Sequence, residues 1–561
     1  RNLGNFVVYT AGNWRGDGKT FELQNAYVQF LGMTLGYDTG TFMDLAAGIP
    51  KPNNYTSKDG TYVISSNTEV LCSPEFVSAG RYLTEYLRTK PVKGEGAIKF
   101  QKVAGMENEA YSISVSTDGI MIKASSSSGA FYGAVTLKTI IMQAEKTDGR
   151  AVINGLYISD KPAFKYRGFM LDECRHFFGT EAVKKLLDNM AMLKLNKFHW
   201  HLSDDQGFRI ESKLFPKLNE IGSKREYAGL EGLGLKHRGG EYFYYYKQDE
   251  IKNIVAYAAK LNIEVIPEID LPGHASALLA AYPEFACKPR EFKPTCENGI
   301  FDAAICPGNE DAYDFIDKLF SEICPLFTST HFHIGGDEAS KGHKIWDDCP
   351  KCRAAKEKNG LKNSKELQGY YMTRIGEILK KYGKTPIAWN DCINDSFSPD
   401  ITCQYWLPSN SGEVKRQSYK RDIILSPTAY FYFDCKYSVI SLKKVYKYNT
   451  VKSGFGKSGQ RVIGIEAEMW TEWVDSERAL EFSVYPRILA LSEVVWTNLE
   501  NRRYKDFLRR LEWYKTYLRK KGVNYSRVTG KSGISVSKTI YHMGEDGKEF
   551  KLSEKRREAE N

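Results

Sequence analysis

The chain has 561 residues, 42% hydrophobic and 26% charged: ordinary globular material, longer than one average domain, with ample apolar content for a large core. Its formal net charge of +10 is spread along the sequence, with some concentration at Arg502-Arg503, Arg509-Arg510 and Arg519-Lys520-Lys521. A solvated basic surface is therefore expected and a nucleic-acid partner is not, and no apolar run is long enough to predict a membrane-spanning helix.

The sequence opens on Arg1 with no signal-peptide core, as a mature form or a fragment would. Residues 1–55 stand apart. "FELQNAYVQFLGMTLGYDTGTF" (Phe21 to Phe42) alternates in places like strands and has the look of a single outer-membrane-barrel hairpin. One hairpin closes no barrel, and the segment is given no function. A small α+β domain is predicted over 56–162. Tyr111 to Val115 alternates, Asp118-Gly119 makes a turn, and Ile120 to Lys123 answers as partner strand. Phe131, Val135, Leu137 and Ile141 recur at helical spacing, and Ala79 to Lys90 supplies a second helix.

From Tyr166 onward short apolar runs end in polar or aromatic residues, with helical stretches between most of them. They are "YRGFMLDE", "FHWHLSDD", "IEVIPEID", "FHIGGDE", "TPIAWND", "ITCQYW", "DIILSPTAY" and "VIGIEAEMW". In the first helix, Thr180 is the expected cap, and Val183, Leu186, Leu187, Met190 and Leu193 form the apolar stripe. Eight strands alternating with helices predict an α/β fold, a (β/α)8 TIM barrel over 163–525, with residues 526–561 as an unassigned tail.

Eleven cysteines leave at least one without an intrachain partner. Cys287, Cys296 and Cys306 share one loop and could form a bridge in an exported protein. Cys349-Pro-Lys-Cys352 has zinc-knuckle spacing, but no second CxxC or HxxxH follows, so a local disulfide or free thiols is expected ahead of a metal.

Barrel active sites lie at the C-terminal ends of the strands. Asp172, Asp204, Asp205, Asp270, Asp337, Glu338 and Glu472 collect there, with Trp389, Trp406, Tyr432 and Trp470. Carboxylates bond sugar hydroxyls and aromatic faces stack on sugar C–H surfaces, so the rim suits a carbohydrate. Asp337 and Glu338 would point to opposite faces of a regular strand, and both reach one ligand only where Gly335-Gly336 lets the strand give way. One acid of such a pair should be pushed to higher pKa by its neighbour's charge.

"HIGGDE", "WHLSDDQGFR", "PEIDLPGH", "YRGFMLDECRHFFG" and "GIEAEMWTE", in that company, resemble glycoside hydrolase family 20, the β-N-acetylhexosaminidases; the resemblance runs from about Tyr62 to Tyr517. It implies an exo-acting, retaining, substrate-assisted hydrolysis of terminal β-linked N-acetylhexosamine (GlcNAc or GalNAc) from an oligosaccharide or glycoconjugate, with no cofactor and no metal. Glu338 would be the general acid/base and Asp337 would orient the 2-acetamido group. The resemblance makes Arg175 the clamp on the sugar hydroxyls, with Asp434 and Glu472 as its acidic partners. His274 with Asp204 would support the general acid, with Asp270 and His333 nearby. Trp389, Trp406 and Trp470 would wall the sugar, and Tyr432 would bond the acetamido oxygen. Asn390 and Thr450 depart from the family pattern, the latter in the "VYKYNTV" turn.

Two other readings stand beside it. His199-x-His201 and His331-x-His333 have the spacing of a metal-dependent barrel hydrolase. A catalytically silent sugar-binding protein on the same scaffold is the other. The loop cysteines and the barrel-like N-terminus suggest an exported protein, bacterial periplasmic or surface-attached.

Overall fold

The computed structural model describes residues 48–527, apart from 66–67, 89–90, 93–97, 148–149 and 229–239, together with strand segments in 7–38 and 541–551. The chain forms two compact units, residues 1–162 with 500–514 and residues 163–499 with 515–561.

In the first unit, Tyr111–Ser116 and Gly119–Ala124 form the expected hairpin. Arg150–Asp160 pairs antiparallel with Tyr111–Ser116, and Ile98–Lys102 pairs parallel with Gly119–Ala124. The helix Ser127–Gln143 begins on a true cap, the Ser126 side chain accepting from the Gly129 amide. It can lie close on the sheet because Gly133 has no side chain; a Cβ there would stand 2.7 Å from Ile122. Tyr111 carries the main polar contact beneath it, its hydroxyl 2.6 Å from Asp160 and 2.7 Å from Thr136. The N-terminal stretch read as a hairpin is Phe21–Phe30 paired antiparallel with Met33–Asp38, with Val7–Trp14 on the other edge; residues 39–42 lie outside the described residues. So do 528–540, 544–548 and 552–561 of the tail.

The second unit is a closed barrel of eight strands: β1 Tyr166–Asp172, β2 Lys197–His201, β3 Glu264–Glu268, β4 His331–His333, β5 Thr385–Trp389, β6 Thr402–Tyr405, β7 Ile423–Leu425 and β8 Val462–Ala467. All are parallel, and β8 closes on β1. Each of the eight apolar runs became a strand. Tyr166, Ile266, Ile387 and Ile424, from the odd strands, pack as one interior layer. The even strands supply His199, His333, Gln404 and Glu466, all buried. Branched aliphatics usually fill such a layer; here it is hydrogen-bonded instead. His199 Nδ1 lies 2.8 Å from Glu466, Gln404 donates to the same carboxylate at 2.7 Å, and Tyr166 donates to it from below at 2.6 Å.

The helix after β1 is Gly179–Met192, and its predicted stripe, Val183 to Leu193, is buried. Thr180 does not cap it. The helix starts one residue earlier, on positive-φ Gly179, and Glu173 takes the Phe178 amide, so the threonine falls inside the first turn.

The cysteines also depart from expectation. Cys296 does not join Cys287 and Cys306; its sulfur accepts from the Tyr227 amide at 3.4 Å. The CxxC pair, which has no downstream partner motif, meets Cys287 and Cys306 from upstream. Tyr111→Phe takes one donor from the buried Asp160, which keeps its bonds from Asn53, and one partner from Thr136, and is expected to destabilise the first unit by about 1 kcal/mol in urea unfolding.

Candidate active site

After β4 the backbone turns through positive φ at Gly335 (63°), Gly336 (100°) and Glu338 (48°). The turn is dictated by crowding: a Cβ on Gly335 would collide with the Asp270 carboxyl, which accepts from the Gly336 amide at 3.2 Å. The result puts two adjacent acids on one side of the chain. A single imidazole nitrogen, His274 Nε2, lies 3.3 Å from Glu338 and 3.7 Å from Asp337. Its other nitrogen faces Asp204 at 3.0 Å and Asp205 at 3.1 Å. Asp204 also takes His201 Nε2 at 2.8 Å. Burial disfavours the His274 charge, but these carboxylates outweigh it and hold the ring protonated well above its ordinary range.

The two acids differ in surroundings. The Asp337 side chain is 10% exposed and that of Glu338 32%. Asp337 is pushed up to about 6, first by burial and then by the charges of Glu268 and Glu338, against the pull of His274. The expected neighbour effect exists, but burial leads it. Asp270, buried and facing Asp337, is pushed well above the carboxylate range by burial and then by the Asp337 charge. Asp337 Oδ1 is buried with no hydrogen-bond partner among the described residues, and so is Asp434 Oδ1.

Arg175 sits at the end of β1. Its guanidinium lies 2.9 Å from Asp204, 3.2 Å from Asp172 and 3.7 Å from Glu472, with Nε donating to Gln206 at 2.8 Å. It also covers the Trp470 ring at 5.1 Å. Asp434 stands against Glu472; burial and then that charge push it up to about 7. Trp406 and Tyr432 stack at 6.1 Å, Tyr432 meets Trp470 at 6.5 Å, and Trp470 meets Trp389 at 6.1 Å. Trp389 is the most enclosed of the four, its indole donating to Glu268 at 2.9 Å. His333 lies beneath, 2.8 Å from the same carboxylate. The predicted residues therefore come together at one mouth, His333 one level below it.

Sequence reasoning passed over Glu268, which gathers His199, His201, His333 and Trp389, and Gln206, which fixes Arg175. It also passed over Asp391. That side chain accepts from the Trp406 indole at 2.5 Å, faces the Glu338 amide, and is pushed up to about 7 by burial and then by Asp337. Its signal was present in "AWNDCI", where Asn390, one residue earlier, drew the attention; Asn390 instead holds the Trp406 loop through the amides of Trp406 and Leu407.

The two histidine pairs do not come together whole. His331 opens β4 at the far end and faces Glu264. His199 and His201 do converge, but Glu466 and Glu268 for the first, and Glu268 and Asp204 for the second, outweigh burial and hold both at about 10.

The glycosyl hydrolase family 20 catalytic domain matches residues 164–499, and domain 2 of the same family matches residues 48–161. A beta-hexosaminidase of Porphyromonas gingivalis is 34% identical over 85% of this chain and 64% of its own length, so the chain spans just under two thirds of that relative. One from Vibrio furnissii is 31% identical over 79% of this chain and 75% of its length. The structure of an exo beta-N-acetylglucosaminidase from Vibrio harveyi, in complex with N-acetylglucosamine, superposes with a TM-score of 0.77 at 28% identity, covering 90% of this chain and 85% of that one.

Gly335→Ala tests the turn. It should destabilise by more than the ~1–2 kcal/mol of left-handed backbone alone, because the methyl must also displace Asp270. Thermal unfolding should show the loss, whereas Gly240→Ala, with nothing within 4 Å, should match the parent.

Proposed function

The chain belongs to glycosyl hydrolase family 20, a family of glycoside hydrolases, and from that membership we propose that it releases terminal β-linked N-acetylhexosamine by a retaining, substrate-assisted mechanism. The observation that carries the reading is one imidazole nitrogen within 3.7 Å of both acids. A protein nucleophile and its acid partner would flank the sugar from opposite faces, roughly 5–5.5 Å apart. Neighbours on one side of the chain suit a different division of labour, in which the substrate brings its own nucleophile.

In this mechanism Glu338 protonates the glycosidic oxygen as the bond to the leaving group breaks. The 2-acetamido carbonyl oxygen attacks the anomeric carbon from the opposite face and closes an oxazolinium ring. Asp337 accepts from the acetamido N–H through its unpartnered Oδ1, and its negative charge offsets the charge of the ring. Glu338, now a carboxylate beside the protonated His274, takes a proton from water, which opens the ring and restores the β configuration. His274 acts by stabilising the carboxylate that Glu338 becomes, and Asp204 and Asp205 hold it charged.

Arg175, Glu472 and the free oxygen of Asp434 suit hydroxyls remote from the scissile bond. In a chain-internal sugar at least one such hydroxyl is spent on the next linkage, which favours exo action on a terminal residue. Trp389, Trp406, Trp470 and Tyr432 supply the walls for the ring and the N-acetyl methyl.

The deciding experiment compares matched chromogenic glycosides bearing 2-acetamido or 2-hydroxyl groups. The second has no oxygen to form the ring and should turn over very poorly even at saturation. The first should give β product when followed by NMR before mutarotation. Glu338→Gln should slow poor leaving groups on the order of a hundred- to ten-thousandfold. Inverted product, or a glycosyl ester trapped on a protein carboxylate, would sink the mechanism.

The pH profile gives an independent check. Asp337 must be anionic to face the oxazolinium, and its pKa of about 6 means the anion is lost as pH falls through that value. The acid limb of kcat/KM should therefore fall near pH 6. Asp337→Asn should be slow throughout and should no longer show that limb.

A further inference from the structure

Four thiols distant in sequence meet outside the barrel. Cys287 and Cys306 come from the two ends of one loop, and Cys349 and Cys352 from the turn that opens the helix Pro350–Lys358. Cys352 lies 3.6 Å from Cys287 and 3.5 Å from Cys306, and Cys306 lies 3.8 Å from Cys349. All four sulfurs fall within 4.8 Å of one another. A disulfide needs about 2.05 Å, and pairing would draw the sulfurs together two by two. Here each of the central sulfurs touches two others. Zinc bound by thiolates at about 2.3 Å sets sulfurs about 3.8 Å apart on the edges of a tetrahedron, which is the spacing found.

The backbone is shaped to the same end. A Cβ on Gly308 would collide with the Lys351 carbonyl, so the Cys306-Pro-Gly turn lies backbone to backbone against the CxxC turn. The Gly308 amide is directed at Cys306. Ala304, Ala339, Trp346 and Leu367 enclose the sulfurs, and only Cys287 reaches the surface.

We propose that Cys287, Cys306, Cys349 and Cys352 hold one zinc ion in a tetrahedral four-thiolate site. Binding releases the four thiol protons and leaves a site of net charge −2 with no open position, hence a structural role. The ion would tie the 287–306 loop to the helix Ser340–Asp348, which directly follows Glu338. That loop reaches the active site at two further points. The Ile305 amide donates to the Pro272 carbonyl, two residues before His274, at 2.9 Å. Glu297 accepts at 2.9 Å from Gln206, which fixes Arg175. The zinc site does not depend on the proposed sugar chemistry.

Elemental analysis of the full chain, purified without chelator from zinc-replete cells, should find about one zinc per chain. Cys349→Ser should fall well below that, and Cys72→Ser, outside the cluster, should retain it. Because Cys349→Ser could fail to fold, the parent protein carries a second measurement. Titration with a mercurial should release one zinc as four thiols react, and cobalt exchange should give the visible and sulfur-to-cobalt charge-transfer bands of a four-thiolate site. Metal-free protein with all four thiols open to alkylation, disulfides among them in peptide mapping, or iron in zinc's place would overturn the assignment.

Discussion

The mouth of the barrel depends on one close contact, the backbone of Gly335 lying against the carboxyl of Asp270. That contact fixes where β4 ends and obliges the chain to turn through left-handed conformations. A two-residue periodicity would otherwise send Asp337 and Glu338 to opposite faces. Burial and the Asp337 charge push the Asp270 carboxyl well above its usual range, and a carboxyl biased toward its neutral form can lie near Asp337 where an anion would be repelled. The geometry of the pair and the protonation of its neighbour are thus one arrangement.

Below that contact the barrel interior is organised by charge. Glu268 is held well below the carboxylate range; burial opposes its charge, but His333, His201 and His199 outweigh it. The same imidazoles link it to Asp204 and Glu466, and Asp204 in turn connects to His274 and Arg175. Buried ions of this kind rarely add net stability, since desolvation consumes most of the attraction. Their value lies in fixing ring orientation and proton occupancy at the groups that face the ligand.

Much of this is legible in the order of the amino acids. The eight strands announce themselves as short apolar runs ending in acids and tryptophans, and the rim acids follow because barrel chemistry sits at strand ends. Glu268 and Glu466 escape such a reading because polar residues within a strand look solvent-facing, and only barrel closure turns that face inward. Residue preference assigns the helix cap to Thr180, whereas Gly179 and Glu173 settle it through backbone conformation and a distant carboxylate. The partners of Cys349 and Cys352 lie upstream, at spacings no local motif encodes, so folding alone can bring them together.

The polar layer of His199, His333, Gln404 and Glu466 also bears on how such a barrel can change over generations. An aliphatic layer tolerates drift, since one branched side chain can stand in for another with modest repacking. In the polar layer His199 and Gln404 both bond Glu466, so exchanging that one carboxylate removes a partner from two buried neighbours at once. Viable alternatives at Glu466 must alter β2 and β6 together with β8, so these three residues are inherited as a block.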